Sequence, residues 1–310
     1  MSFTLEPYDA ATSETWIVCR TCGTQFPTSD RQVVTTCHIC DDPRQYVPPS
    51  GQSFTTHKEV AATHRNEFIP YEADPRLTSI VTTPKFGIGQ RAILVRTPGG
   101  NILWDCITLL DEETVARIAS LGGLAAIVIS HPHYYSTHVQ WARAFACPVY
   151  VSSEDASWVT MPSAHRQLLT GTETEIVPGS GVKAVKLGGH FPGSLVALFE
   201  GRLLIADTIV TTPAGLGRWE VDGNGVARAR PGGLNSFTFQ WSIPNMIPLG
   251  PDELARMWGV LGGYEFRSTH GAFLGFDVED EGVKGRVLES MQIQTRFMGW
   301  PDHPLMGMKL

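Results

Sequence analysis

Histidine and aspartate residues recur directly after apolar stretches in the middle of the chain. His131 and His133 follow "AAIVIS", His190 follows "VKAVKL" and two glycines, Asp207 ends "RLLIAD", and His270 follows "YEFRST". Imidazole nitrogens and carboxylate oxygens are common ligands of zinc and iron in proteins. Because each stretch has the pattern of a strand, a sheet that aligns the strand ends brings these side chains to one edge. The pattern therefore predicts a metal centre at the edge of a sheet.

Four of the six cysteines form two C-x-x-C pairs, Cys19 and Cys22 in "CRTC" and Cys37 and Cys40 in "CHIC". Four thiolates in two such pairs match the ligands of a tetrahedral structural zinc site. A segment this small also needs a staple in order to fold. We therefore expect structural zinc here. Rubredoxin-like iron, which uses the same sulfur ligands, a redox-active pair and a disulfide framework stay open as alternatives.

Composition limits the class of protein and its partners. The chain has 310 residues, 42% of them hydrophobic, and a formal net charge of −7. Lys and Arg are scattered, so we expect no surface for nucleic acid. Apolar runs reach about six residues, against the roughly 20 that span a bilayer, and the N-terminus has no signal-peptide pattern. We expect a cytoplasmic protein with a small-molecule substrate and no membrane partner, and the sequence does not indicate an oligomeric state.

Strand and helix signals after about residue 79 indicate a layered α/β domain. "AILVRT" and "NILWD", separated by glycines, predict a hairpin, and Asp111 is the predicted cap of a helix. Further helices are predicted over 136–146, 251–261 and 280–295, and strands at "AAIVIS", "PVYVS", "VKAVKL", "SLVALFE", "RLLIAD" and "YEFRST". The Pro- and Gly-rich stretch from residue 41 onward reads as a linker. We therefore place a small zinc-binding subdomain, built on the four paired cysteines, with its linker over residues 1–54 and the main domain over 55–310.

The order of these motifs resembles the metallo-β-lactamase superfamily. The set is H-x-H after a buried strand, then "GGHFPGS", "LLIAD" and "STH", and it covers about residues 79–295. The resemblance implies an αββα sandwich with metals at one edge. By position, His131 and His133 match the first two histidines of the family motif H-x-H-x-D-H. Tyr135 and Ser136 stand where its aspartate and last histidine belong, so the resemblance implies that the second metal site has lost ligands.

The same resemblance assigns ligands to each metal site. The first site keeps its full set, His131, His133, His190 and Asp207. The second site keeps only the shared Asp207 and His270, which are too few protein ligands for a firm site. His138 lies beyond the family position, where a new helix begins, and we expect it to be an exposed helix residue rather than a replacement ligand.

Hydrolysis is the function that such a centre suggests first. The substrate would be an activated acyl bond, as in a thioester, lactone or lactam, attacked by a hydroxide on a single metal ion. Zinc lowers the pKa of bound water to about 7. Asp207 would orient the hydroxide, and Tyr135 or His270 would stabilise the oxyanion or the leaving group. Trp219 and Trp241, in the long irregular segment 212–249, are candidates for binding the substrate.

Two other functions stay open. The superfamily also contains mononuclear non-haem iron dioxygenases of the persulfide type, and two histidines with one carboxylate are the ligand set of iron oxygenases. Here His131, His190 and Asp207 would supply that set, so the active-site ion is zinc or iron. The third possibility is a catalytically degenerate binding protein in which the cysteine pairs serve as an interaction module.

Overall fold

A cysteine-rich segment begins the part of the chain that the computed structural model describes, residues 8–310. Strand β1 (Ile17–Cys19) pairs antiparallel with β2 (Phe54–Thr56), and α1 (His57–Ala61) follows. The side chain of Thr56 caps α1 in a capping box. The division of the chain at residue 54 stays a prediction. Strand β2 spans that position, and the four cysteines share one hydrophobic core with the first large sheet.

A seven-stranded sheet forms the first half of the main domain. Its strands lie in chain order, β3 (Arg65–Tyr71), β4 (Asp74–Thr83), β5 (Ala92–Val95), β6 (Ile102–Trp104), β7 (Ala126–Val128), β8 (Val149–Ser152) and β9 (Arg166–Leu169). The strands from β3 to β6 pair antiparallel and those from β6 to β9 parallel. Helices α2 (Glu112–Ser120) and α3 (His138–Phe145) make the crossovers on either side of β7. The predicted β5–β6 hairpin and the Asp111 cap of α2 are confirmed.

A six-stranded sheet forms the second half. In chain order the elements are β10 (Glu173–Glu175), β11 (Val182–Lys186), β12 (Leu195–Phe199), β13 (Arg202–Leu204), β14 (Val210–Thr211), α4 (Pro213–Leu216), β15 (Phe237–Thr238), β16 (Gln240–Ser242), β17 (Ile247–Pro248), α5 (Pro251–Leu261), β18 (Ser268–His270), β19 (Asp277–Glu279) and α6 (Val283–Phe297). The sheet has the order β10-β11-β12-β13-β18-β19, and β13 pairs parallel with β18. Within the segment predicted to be irregular, β15 pairs with β14, which directly precedes that segment, and β16 pairs with β17.

The two sheets pack face to face because their strands direct successive apolar side chains to opposite faces. Ile93 and Val95 of β5 share a core with Phe199 of β12, whereas Leu94 points to the opposite face, toward the cysteines. Helices α2 and α3 cover that outer face, and α5 and α6 cover the outer face of the second sheet. The result is the predicted αββα sandwich.

Two local predictions differ from the structure. The strand predicted at "YEFRST" begins only at Ser268, and its partner β19 follows it directly. The long β3–β4 hairpin lies mostly before residue 79, where no strand was predicted. No helix within residues 8–310 has the length and hydropathy that crossing a membrane requires.

Candidate metal centre

Loops at one edge of the sandwich bring three histidines and one aspartate together. His131 and His133 follow β7, His190 follows β11, and Asp207 follows β13. One ligand atom from each of the four lies within 4.8 Å of all the others, and all four residues are buried. His131 is extended, but His133 lies in a 3₁₀ turn, Pro132–Tyr134. The four residues predicted to form the first metal site therefore lie together, and we call them the histidine centre.

Three imidazoles turn one nitrogen each toward the same carboxylate oxygen. Oδ2 of Asp207 lies 3.2 Å from Nε2 of His131, 3.4 Å from Nδ1 of His133 and 3.8 Å from Nε2 of His190. Nε2 of His190 is also 3.2 Å from Nδ1 of His133. Three imidazole nitrogens and one carboxylate oxygen around a common point fit a divalent ion such as zinc or ferrous iron.

The remaining ring nitrogens fix how the imidazoles are oriented. Nδ1 of His190 lies 2.9 Å from the carbonyl oxygen of Trp241 and therefore donates to it. Nδ1 of His131 lies 2.9 Å from Oγ of Ser130. Because the proton of His190 is on Nδ1, its Nε2 presents a lone pair to the centre, as metal ligation requires.

Burial and neighbouring charges set the protonation states of the centre. Burial lowers the pKa of His133 to about 4 and the pKa of His190 well below its usual value, so both rings are neutral near pH 7. Burial alone would raise the pKa of Asp207, but the charge and hydrogen bond of His131, with the bond to His133, hold it well below its usual range. The neutral rings of His133 and His190 and the ionised carboxylate are in the forms that bind a metal.

Two buried residues outside the predicted catalytic and metal-binding sets hold the centre in place. The hydroxyl of Tyr134 donates to Oδ1 of Asp207 at 3.0 Å. Asp105, which follows β6 with a φ of 61°, accepts a hydrogen bond of 2.7 Å from the backbone N–H of Ser130. Burial raises the pKa of Asp105 to about 7. Asp105 therefore supports the backbone immediately before His131.

An arginine from the predicted linker reaches the histidine centre. Nε and a terminal nitrogen of Arg44 contact the two carboxylate oxygens of Asp42 at 2.7 and 2.8 Å. The other terminal nitrogen donates to the carbonyl oxygen of His190 at 3.2 Å. The guanidinium carbon lies 3.8 Å from the centre of the Phe191 ring. The segment predicted to be a linker thus forms part of the wall of the site.

Two residues predicted to assist catalysis have other partners. The hydroxyl of Tyr135 donates to the carbonyl oxygen of Asp155 at 2.9 Å. Nδ1 of His270 lies 3.2 Å from Oδ1 of Asp277, and its Nε2 lies 3.1 Å from Oγ of Ser268. Within residues 8–310, the group of converging ligand atoms includes neither Tyr135 nor His270.

The remaining sequence predictions concern one histidine and two tryptophans. His138 begins α3 as expected, but it is only 2% exposed, so the prediction of an exposed residue is wrong. Its Nδ1 lies 2.8 Å from the carbonyl oxygen of Tyr135. Trp241 borders the centre through its carbonyl and through its ring, which is 5.5 Å from the guanidinium of Arg44. Trp219 instead lines a groove of about 490 Å³ whose lining contains no residue of the histidine centre.

The four cysteines form a second group of potential ligands, which we call the cysteine cluster. Their sulfurs all lie within 4.8 Å of one another, with Cys19 3.7 Å from Cys40 and Cys22 3.7 Å from Cys37. A disulfide requires about 2.05 Å between its sulfurs. A tetrahedron with Zn–S bonds of about 2.3 Å has edges of about 3.8 Å. The two distances of 3.7 Å match the edge of such a tetrahedron and exclude a disulfide, so the cluster is suited to a tetrahedral metal site.

Comparison with known proteins shows a sequence relative and identifies the fold. No family model matches the sequence. The chain is 37% identical over 265 residues to the uncharacterized protein YmaE of Bacillus subtilis (strain 168), covering 83% of this chain and 88% of YmaE. The crystal structure of DIM-1 metallo-β-lactamase matches 75% of this chain and 98% of its own, with 10% identity and a TM-score of 0.51. That likeness shows the metallo-β-lactamase fold, which the sequence resemblance implied.

Proposed function

The chain belongs to the same family as YmaE of Bacillus subtilis, and we propose that it is a metal-dependent hydrolase of activated acyl bonds in small molecules. The convergence of three imidazole nitrogens and one carboxylate oxygen in a buried centre carries this proposal. A divalent metal held by these four residues would polarise a carbonyl group and lower the pKa of a water molecule to about 7.

We infer that the centre holds one ion, because both oxygens of Asp207 already have partners. Oδ2 faces the three imidazoles, and Oδ1 accepts the hydrogen bond from Tyr134. His270, the other ligand expected for a second ion, has both ring nitrogens next to protein groups. A single ion suits acyl substrates better than phosphodiesters, which usually profit from two.

The protein side chains supply orientation and exclude water. Asp207 would orient the attacking water through the second lone pair of Oδ1, since Tyr134 takes the first. We assign the phenol of the site to Tyr134 rather than Tyr135, because Tyr134 contacts Asp207 directly. The rings of Phe191 and Trp158 pack edge to face, 5.3 Å apart, with Phe191 next to the imidazoles. Such apolar walls strengthen electrostatic interactions inside a site.

Metal analysis tests the site separately from the reaction. We expect two metal ions per chain in the wild-type protein and one in the variant His131→Ala/His190→Ala, which keeps the cysteine cluster. His165→Ala, outside both groups, is the matched control and should keep two. A double variant that retains both ions would contradict the histidine centre, and iron as the lost ion would favour the dioxygenase over the hydrolase.

Substrate assays test the reaction itself. Wild-type protein with two bound ions should hydrolyse at least one class among model thioesters, lactones and β-lactams, and the double variant should not. Absence of turnover across this panel by fully metallated protein would count against the hydrolase and favour a binding protein. The two measurements together separate a missing metal from a wrong reaction.

A further inference from the structure

We propose that Arg44, carried by the segment that leaves the cysteine cluster, is a positioning residue for His190. Arg44 follows the cysteine ligand Cys40 by four positions in the sequence, and its side chain contacts the backbone of His190. Four residues of chain and one hydrogen bond therefore link one group of potential ligands to the other. The inference rests on the metal site of the proposed function but not on the hydrolytic reaction.

The cysteine cluster defines where this path begins. The backbone N–H groups of Cys40 and Asp41 both donate to the carbonyl oxygen of Cys37 at 2.9 Å, which closes the second cysteine turn. Gln52 braces the same turn, since it accepts from the N–H of Cys37 at 2.6 Å and donates to Oδ1 of Asp41 at 2.6 Å. A metal in the cluster therefore fixes the backbone from which the segment 41–44 extends.

Asp42 and the β16–β17 hairpin hold the arginine in one orientation. The planar guanidinium contacts both carboxylate oxygens of Asp42, and the side chains are only 11% and 15% exposed. A planar fork makes this paired contact, which an ammonium group does not reproduce. The carbonyl oxygen of Pro43 accepts hydrogen bonds from Ser242 at 2.5 Å and from Asn245 at 2.7 Å. The segment is thus fixed on both sides of the arginine.

The far end of the path is a ligand of the histidine centre. Arg44 donates to the carbonyl oxygen of His190, while the carbonyl oxygen of Trp241 accepts from the imidazole of the same histidine. The guanidinium lies over the ring of Phe191, the next residue. Arg44 therefore fixes the backbone of His190, and the carbonyl group of Trp241 fixes its ring. Removing such outer contacts typically costs about 10- to 100-fold in metal affinity.

Cobalt binding to the metal-stripped full chain measures the two groups separately. Thiolate ligands give cobalt a strong charge-transfer band, and a centre of imidazoles and a carboxylate gives only weaker d–d bands. In Arg44→Ala we expect the affinity of the histidine centre to fall about tenfold and its d–d spectrum to shift, with the affinity of the cysteine cluster unchanged. Arg44→Lys should behave similarly, because lysine lacks the fork. Arg31→Ala, whose side chain lies over Phe54, is the matched control.

A second variant distinguishes positioning from general destabilisation. Asp42→Asn should weaken the histidine centre in the same direction, and the effects of Asp42→Asn and Arg44→Ala should not add, because both act through one contact. Unchanged cobalt affinity of the histidine centre in Arg44→Ala would overturn the inference, and so would equal losses at both groups. Wild-type protein that binds cobalt at both groups yet hydrolyses nothing would remove the proposed reaction and leave this inference standing.

Discussion

The hydroxyl of Tyr134 donates to Oδ1 of Asp207 at 3.0 Å, on the carboxylate oxygen opposite the one that faces the imidazoles. Tyr134 is fully buried, and its ring packs edge to face against His131 at 4.7 Å. Burial raises the pKa of this phenol well above its usual value, so the hydroxyl stays a donor at any ordinary pH. The contact fixes the rotation of the Asp207 carboxylate.

Replacing this phenol tests its role directly. Tyr134→Phe should keep two bound ions but lower the metal affinity of the histidine centre about tenfold, because Oδ1 of Asp207 loses its donor. Tyr135→Phe is the informative comparison, since that hydroxyl bonds only to the carbonyl of Asp155 among the contacts described. Metal titration and acyl hydrolysis should both be affected more by Tyr134→Phe. A larger effect of Tyr135→Phe would support the role first predicted from the sequence.

The cysteine cluster should stabilise the seven-stranded sheet and the helices packed on it, and not only its own segment. Its four residues belong to the same hydrophobic core as Leu94 and Trp141. Cys37→Ser should therefore lose one metal ion and lower the free energy of unfolding by at least about 3 kcal/mol, as expected when a structural metal is lost. Urea denaturation with metal analysis measures both. Cys147→Ala, a buried cysteine outside the cluster, should keep two ions, and a Cys37→Ser protein that also keeps two would contradict the cluster.

Sequence patterns predicted the strands and helices whose own residues carry a clear signal. The strand β5 is a continuous apolar run, and α5 begins with a proline at its first turn, as the sequence suggested. The β3–β4 hairpin could not be predicted in this way. Its strands mix polar residues with Pro70 and Pro75, and pairing of β4 with β5 rather than an apolar pattern holds it in the sheet.

The four residues of the histidine centre were predictable because each follows an apolar strand. The residues that contact these four from outside, Tyr134 and Arg44, could not be predicted in this way. A motif alignment pointed to Tyr135, but the 3₁₀ turn at Pro132–Tyr134 presents Tyr134 to Asp207 instead. Arg44 and His190 are 146 positions apart in the chain, and no spacing rule relates residues that meet only through tertiary packing. The sequence signal at Arg44, an arginine two positions after an aspartate, is too common to select it.

A buried carboxylate joins the two sheets away from the metal sites. Asp74, at the start of β4, accepts from Arg76 at 2.8 Å and from Arg202 of β13 at 2.9 Å, and its side chain is 6% exposed. Asp74→Asn should lower the free energy of unfolding by about 1–3 kcal/mol, because both arginines lose a charged partner. Urea denaturation at neutral pH checks this. Glu220→Gln, at an ion pair with Arg218 in which both side chains are exposed, should have little effect.

The difference in unfolding free energy between wild type and Asp74→Asn should depend on pH, and the pKa of Asp74 gives the sign. The hydrogen bonds of Arg76, opposed by burial, lower the pKa of Asp74 below its usual value. A lowered folded-state pKa adds stability that is present above about pH 4, where the unfolded carboxyl ionises, and is lost as pH falls through the lower folded value. The stability difference between wild type and Asp74→Asn should therefore be constant from about pH 7 to 5 and shrink below about pH 4. A difference that grows in acid would contradict this assignment.

A glycine in the loop of His190 permits close contact with strand β8. A Cβ at Gly193 would lie 2.5 Å from Cβ of Ser152 and 2.7 Å from Oδ2 of Asp155, and the N–H of Gly193 already donates to Asp155 at 3.0 Å. Gly193→Ala should therefore displace the loop, lower stability by about 1–3 kcal/mol and weaken cobalt binding at the histidine centre.

Two further variants separate this crowding from any general cost of alanine. Gly171→Ala should be nearly neutral, because its nearest neighbour would be the carbonyl oxygen of Glu173 at 3.5 Å. Adding Ser152→Gly to Gly193→Ala removes the nearer of the two side chains that the new methyl group meets and leaves Asp155, so cobalt affinity should recover in part. If Gly193→Ala alone binds cobalt as tightly as the wild type, the loop tolerates the methyl group and its position does not control His190.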